Sequence, residues 1–126
     1  YAAIRRSWNS GDCVRLSLSM EPRFCWTNPR VRQNCGKAAV MRGPIVYCLE
    51  EADNFKNLHD FKVDVTVPAR AEQSKLKGYV SDMEDWGSPL YRDNRAAKRK
   101  AAEVTAVPYH LWGNRGLGEM LIWMQA

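Results

Sequence analysis

Carboxylates, histidines and cysteines are the side chains here that invite a chemical reading. Glycoside cleavage needs two carboxylates facing each other across a bond, roughly 5–10 Å apart. Glu50 and Glu51 are neighbours, and on a strand their side chains point to opposite faces. Asp82, Glu84 and Asp85 cluster in a polar stretch, and without the ligand order of an EF-hand they read as solvated charge rather than a calcium site. His59 precedes Asp60, but a His-Asp pair makes no triad without a nucleophile placed beside it. His110 stands between Tyr109 and Trp112, which suits a sugar contact or, more plainly, a half-buried place at a domain seam. Cys13, Cys25, Cys35 and Cys48 contain no C-x-x-C pair, so a zinc ribbon or thioredoxin-like site is not expected. They read as reduced thiols of a cytoplasmic-type protein, with Cys48, between Tyr47 and Leu49, as a small core residue. No catalytic or metal-ligating residue is expected.

The five tryptophans raise carbohydrate binding, because exposed coplanar rings stack on sugar faces. Trp8, Trp26 and Trp123 sit in strand-like patterns and are expected in the core. Trp86 is the expected exposed one, either stacking on a sugar or pinning its own loop. With Tyr109, His110 and Trp112 it completes the set of sugar or interface contact candidates.

The elements that position these residues follow from periodicity. Val14, Leu16, Leu18 and Met20 alternate with Arg15, Ser17 and Ser19, and Phe61, Val63, Val65 and Val67 alternate with Lys62, Asp64 and Thr66. Period two means a strand with one buried face. Ser10-Gly11-Asp12 is turn chemistry and predicts a hairpin joining strands at 2–6 and 13–20. Further strands are expected at 23–26, 37–41, 45–50, 103–109 and 119–124. Gly43-Pro44 cannot lie inside a helix and makes 41–50 a strand, tight kink and strand. Residues 71–102 read as one long polar loop or a short helix, with 93–102 as the helical part. The fold class is all-β: one antiparallel β-sandwich domain over 1–126, jelly-roll-like.

Composition sets the outer bounds. The 126 residues are 45% apolar and 26% charged, ordinary for a folded domain. No apolar run approaches the ~20 residues that span a bilayer, so no membrane partner is expected. No leader is visible, and a chain starting at Tyr1 reads as an excised piece. The net charge of +5 is scattered except at Arg95-Ala96-Ala97-Lys98-Arg99-Lys100. That run lacks the interleaved aromatics of a single-strand reader, so nucleic acid is not an expected partner.

Three ordered motifs carry a resemblance. Tyr1-Ala2-Ala3-Ile4-Arg5-Arg6-Ser7-Trp8-Asn9-Ser10-Gly11-Asp12 resembles the start of the C-terminal region of family 127 of the glycoside hydrolases, the bacterial β-L-arabinofuranosidase family. Lys37-Ala38-Ala39-Val40-Met41-Arg42-Gly43-Pro44-Ile45-Val46-Tyr47-Cys48-Leu49-Glu50, with Ala52-Asp53-Asn54 beyond it, is similar to that family's strand pair. Thr105-Ala106-Val107-Pro108-Tyr109 and Trp112-Gly113-Asn114-Arg115-Gly116-Leu117-Gly118-Glu119-Met120 are similar to its closing motif, although the family usually has a proline near Leu117 and an alanine near Gly113. The resemblance implies a helical barrel that carries catalysis, followed by β-sandwich domains. It also implies a cysteine nucleophile at a zinc site and an acid/base glutamate, all upstream of this chain. No catalytic residue and no cofactor therefore carries over onto these positions. The implied role is a non-catalytic C-terminal domain that packs on its own catalytic barrel and supplies a homodimer contact. The alternative is a carbohydrate-binding module with its own sugar affinity.

Overall fold

The computed structural model describes residues 2–69, 75–83, 90, 91, 93 and 98–126. Eight strands follow in chain order: β1 (Pro22–Trp26), β2 (Lys37–Arg42), β3 (Ile45–Glu50), β4 (Lys62–Val63), β5 (Lys75–Ser81), β6 (Arg99–Pro108), β7 (Met120–Leu121) and β8 (Met124–Gln125). All-β is what the alternation predicts. The strands, however, join in one sheet rather than two facing ones, in the order β1-β2-β8-β4-β5-β6-β3-β7. The extra β2–β3 pairing closes six of them into a barrel, with β1 and β7 attached outside the ring. Periodicity fixes which residues face inward, but it is silent on whether a sheet closes on itself.

The β2–β3 hairpin forms where Gly43-Pro44 places it, with Arg42 opposite Ile45. Gly43 takes φ +56°, which suits the first position of a two-residue turn. The longest ladder joins β5 to β6, from Lys75 opposite Thr105 to Ser81 opposite Arg99. β8 lies between β2 and β4, antiparallel to the first and parallel to the second. Inside the ring, Leu49, Leu58, Phe61, Val104 and Met124 are buried almost completely.

Four expectations need correction. Residues 2–6 and 13–20 form no strand; the turn at Asn9–Asp12 is present, but the segments around it are unpaired and exposed. The Phe61 run is a strand only at Lys62–Val63, because Asp64 turns the chain by binding both the amide (3.0 Å) and the hydroxyl (2.6 Å) of Thr66. Those bonds hold the Asp64 carboxyl below its ordinary range. Within 93–102 the described part is not helical: Arg99 already pairs with Ser81, since pairing outweighs local helix propensity. Trp8 and Trp26 are exposed rather than core, and Arg6 lies 5.0 Å over the Trp8 ring.

All four cysteines are free thiols, with Cys13 and Cys35 exposed and Cys48 buried as its neighbours suggest. Burial pushes the Cys48 thiol up, only partly opposed by the Arg115 charge. Iodoacetamide should therefore modify Cys13 and Cys35 in the native chain, with Cys48 reacting only after unfolding. Because the folded state holds the Cys48 proton more tightly, its share of stability is intact below the unfolded thiol's pKa, about 8.5, and is lost as pH rises towards the folded value. Cys48→Ala should flatten that alkaline decline in urea melts. Rapid native alkylation of Cys48 would contradict this packing.

Candidate docking surface

The second and third sequence motifs, far apart in the chain, converge on one place. β3 is buried on both faces at its C-terminal half. Tyr47 and Leu49 are on the core side, so Cys48 and Glu50 face the other way. That outer face is closed by the loop 109–119. After Pro108 a 3-10 turn, Tyr109–Leu111, reverses the chain, and the Trp112 amide donates to the Tyr109 carbonyl at 3.1 Å. Gly113 (φ +79°) and Gly116 (φ +147°) then allow the loop to fold back towards β3.

Carboxylates hold the loop from beneath. Glu50 is buried, and its Oε1 accepts the Gly113 amide at 2.9 Å. The Arg115 guanidinium spans two acids, with Nη2 donating to Glu50 Oε2 and Nη1 to Asp53 Oδ1. Glu51 accepts the Glu119 amide at 3.0 Å, and the Glu51 amide donates back to the Glu119 carbonyl at 3.0 Å. Glu119 Oε2 accepts the Leu58 amide at 2.8 Å. Asn54 completes the base: its side chain donates to the Glu50 and Thr105 carbonyls and accepts the Thr105 amide, at 2.7, 3.0 and 2.7 Å. Each acid is thus occupied by a fixed donor.

The outward side of the same loop is apolar. Tyr109, Leu111 and Trp112 are each nearly half exposed, and Leu117 is fully exposed. Tyr109 and Trp112 stack on each other, 6.1 Å apart and 13° from parallel, so each ring covers a face of the other. The cleft beside Trp112 and Leu117 holds about 10 Å³, the room of one water rather than a sugar. His110 is exposed in the turn and not half-buried. Trp86 lies outside the described residues. A wider groove, about 380 Å³, runs over β5 and β6 and presents one exposed aromatic, Tyr79, whose hydroxyl donates to Asp64 at 3.5 Å.

The sequence reading found the loop and its aromatics but not its anchor. Asn114 bonds the Leu111 carbonyl (3.0 Å), and Arg115 reaches two carboxylates. The signal was the charge pair itself: Glu50 in an otherwise apolar strand requires a cation nearby. No three of His, Cys, Asp or Glu gather to hold a metal among the described residues. No helix among them is long and apolar enough to cross a membrane.

Comparison with known proteins agrees with this architecture. Residues 22–125 match the C-terminal domain of glycoside hydrolase family 127. The motif at 1–12 lies ahead of that span. A non-reducing end β-L-arabinofuranosidase of Bifidobacterium longum subsp. longum is 35% identical over 93% of this chain and 20% of its own length. The crystal structure of a family-127 β-L-arabinofuranosidase from Geobacillus stearothermophilus T6 superposes with a TM-score of 0.79 at 34% identity, over 84% of this chain and 18% of that one. Another solved family-127 β-arabinofuranosidase gives 0.55 at 31% identity, over 82% and 17%. The chain spans about a fifth of the length of these relatives. On the strength of the matched domain and the shared barrel, this chain belongs to glycoside hydrolase family 127, as its C-terminal domain.

Proposed function

We propose that this domain is a non-catalytic brace that docks on the rest of a larger glycoside hydrolase through the loop 109–119. The parent reaction would be removal of terminal β-L-arabinofuranosyl groups, the activity for which the Bifidobacterium relative is named. The observation that carries the docking role is the loop's two-sidedness. Its inner side is fixed by Arg115, Glu50 and Glu119, while its outer side leaves Leu117 and the Tyr109–Trp112 stack in water. A surface held rigid loses little entropy on association, and an exposed apolar patch of this kind marks an interface. The catalytic groups and their metal would then lie in the preceding part of the enzyme.

Full burial of one leucine is worth about 1.5–3 kcal/mol. Leu117→Asp should therefore lower the melting temperature of the full-length enzyme by several degrees and leave that of the 126-residue chain unchanged. Acrylamide quenching, read as the difference between wild type and Trp112→Phe, should find Trp112 shielded in the full-length enzyme and open in the isolated chain. Equal quenching in both would refute the docking role. Concentration-dependent shielding in the isolated chain would assign the loop to a homodimer. Saturable quenching by arabinan oligosaccharides would assign it to sugar binding.

A further inference from the structure

Apart from Met20, which packs on the β2–β3 turn at Gly43, the most regular apolar row in the chain is unused by the barrel. Val14, Leu16, Leu18 and Met20 are 55%, 79%, 68% and 37% exposed. They alternate with Arg15, Ser17 and Ser19, so an extended chain here carries one apolar and one polar face. Three large apolar side chains in a single row facing water, with Met20 ending the row at the barrel's rim, are a sheet face without its sheet.

Both ends of the segment are fixed. At the near end a turn is already formed: the Asp12 amide donates to the Asn9 carbonyl at 3.1 Å, and Asp12 Oδ2 accepts the Asn9 amide at 2.9 Å and Arg6 Nη2 at 2.8 Å. Gly11 supplies the φ of +92° that the turn requires. At the far end Arg42 Nε donates to the Met20 carbonyl at 3.0 Å, and the Met20 thioether fills the space where a Cβ on Gly43 would stand. The arm thus leaves the barrel from a set point with its reversal built in.

The occupant follows from chain lengths. The matched domain begins at residue 22, yet the curated match covers 93% of the chain and so includes more than half of residues 1–21. Most of that relative's length lies beyond the match. A strand attached to a neighbouring domain meets it at high effective concentration, which a second copy in solution does not. The polar row of Arg15, Ser17 and Ser19 further suits a sheet with one face open to water.

We propose that residues 13–20 are a β-strand of the sheet of the preceding domain, with residues 2–8 as its hairpin partner, and that the barrel begins at Pro22. The arm would tie the two domains through backbone hydrogen bonds and a shared core. This rests on the reading of the chain as one part of a longer enzyme.

Hydrogen exchange tests it. In the 126-residue chain the amides of residues 13–20 should exchange at unfolded-chain rates at every protein concentration. In the full-length enzyme they should slow by about 100-fold or more, as in a cooperatively folded strand. Leu16→Asp with Leu18→Asp in the full-length enzyme should abolish that slowing while leaving the amides of Leu49 and Val104 protected. Deleting residues 1–19, which keeps the Met20 contacts with Arg42 and Gly43, should leave the barrel's melting temperature unchanged. Fast exchange of the arm in the full-length enzyme, protection that grows with concentration in the isolated chain, or collapse of the barrel on deletion would each overturn the proposal. If Trp112 is shielded while the arm stays unprotected, only this proposal falls. If both remain open to solvent, the docking reading falls with it.

Discussion

Phe61→Ala should cost about 3–5 kcal/mol, a large share of the roughly 5–15 kcal/mol that holds a domain of this kind together. Phe61 is fully buried, and its ring lies under β5 where Gly78 passes. A Cβ on Gly78 would stand 2.6 and 2.7 Å from two atoms of that ring and would also run into the Lys62 carbonyl oxygen. The glycine is therefore what lets β5 lie close over the ring. Gly78→Ala should cost about 1–3 kcal/mol through overpacking. Combining it with Phe61→Ala should relieve the ring clash but not the backbone one, so the double variant should remain less stable than Phe61→Ala alone. Urea denaturation of the three variants measures this. Phe61→Ala melting like the wild type would contradict the assignment of Phe61 as the centre of the barrel.

Arg115→Ala should cost about 2–4 kcal/mol. Breaking one side of a buried ion pair typically costs about 3–5 kcal/mol, and the solvent exposure of the guanidinium lowers that figure. Glu50 is almost entirely buried, so the loss falls mainly on a carboxylate left without its cation. Asp53 would lose the same partner, and its other oxygen is already buried without one among the described residues. Arg115→Lys should recover only part of the loss, because an ammonium does not span two acids as the planar fork does. The loop should loosen as well. Increased depolarisation of Trp112 fluorescence in Arg115→Ala, together with the lower urea midpoint, would separate a clamp from a surface ion pair of negligible worth.

Legibility differed by element for physical reasons. β2 and β3 were readable because a Gly-Pro turn stands between two short apolar runs, the second opening on β-branched Ile45 and Val46. β5 was missed. Its inward positions Leu76 and Gly78 do alternate with exposed Lys75, Lys77 and Tyr79, but one is a glycine and the run is set in a long polar stretch. The opposite error occurred at 13–20, where the pattern is a strand pattern but no described residue pairs with it in this structure. Periodicity reports the face a residue wants to bury, not who buries it. The docking loop was recognisable from its glycines and aromatics. Its anchor was not, because Arg115 and Glu50 are 65 residues apart and only the fold brings them together. Barrel closure depends on β8, two residues long, a length too short for any periodic signal.

That short strand couples closure to the order of synthesis. β8 is the last of the described strands, and it fills the gap between β2 and β4. A nascent polypeptide must therefore keep both of those ribbons waiting, their unpaired amides and carbonyls open to other chains, until residue 125 has left the ribosome. Quality-control factors that shield such edges would act on this domain during translation, and a product lacking residues 124–125 would be unsealed and sticky rather than a slightly smaller domain.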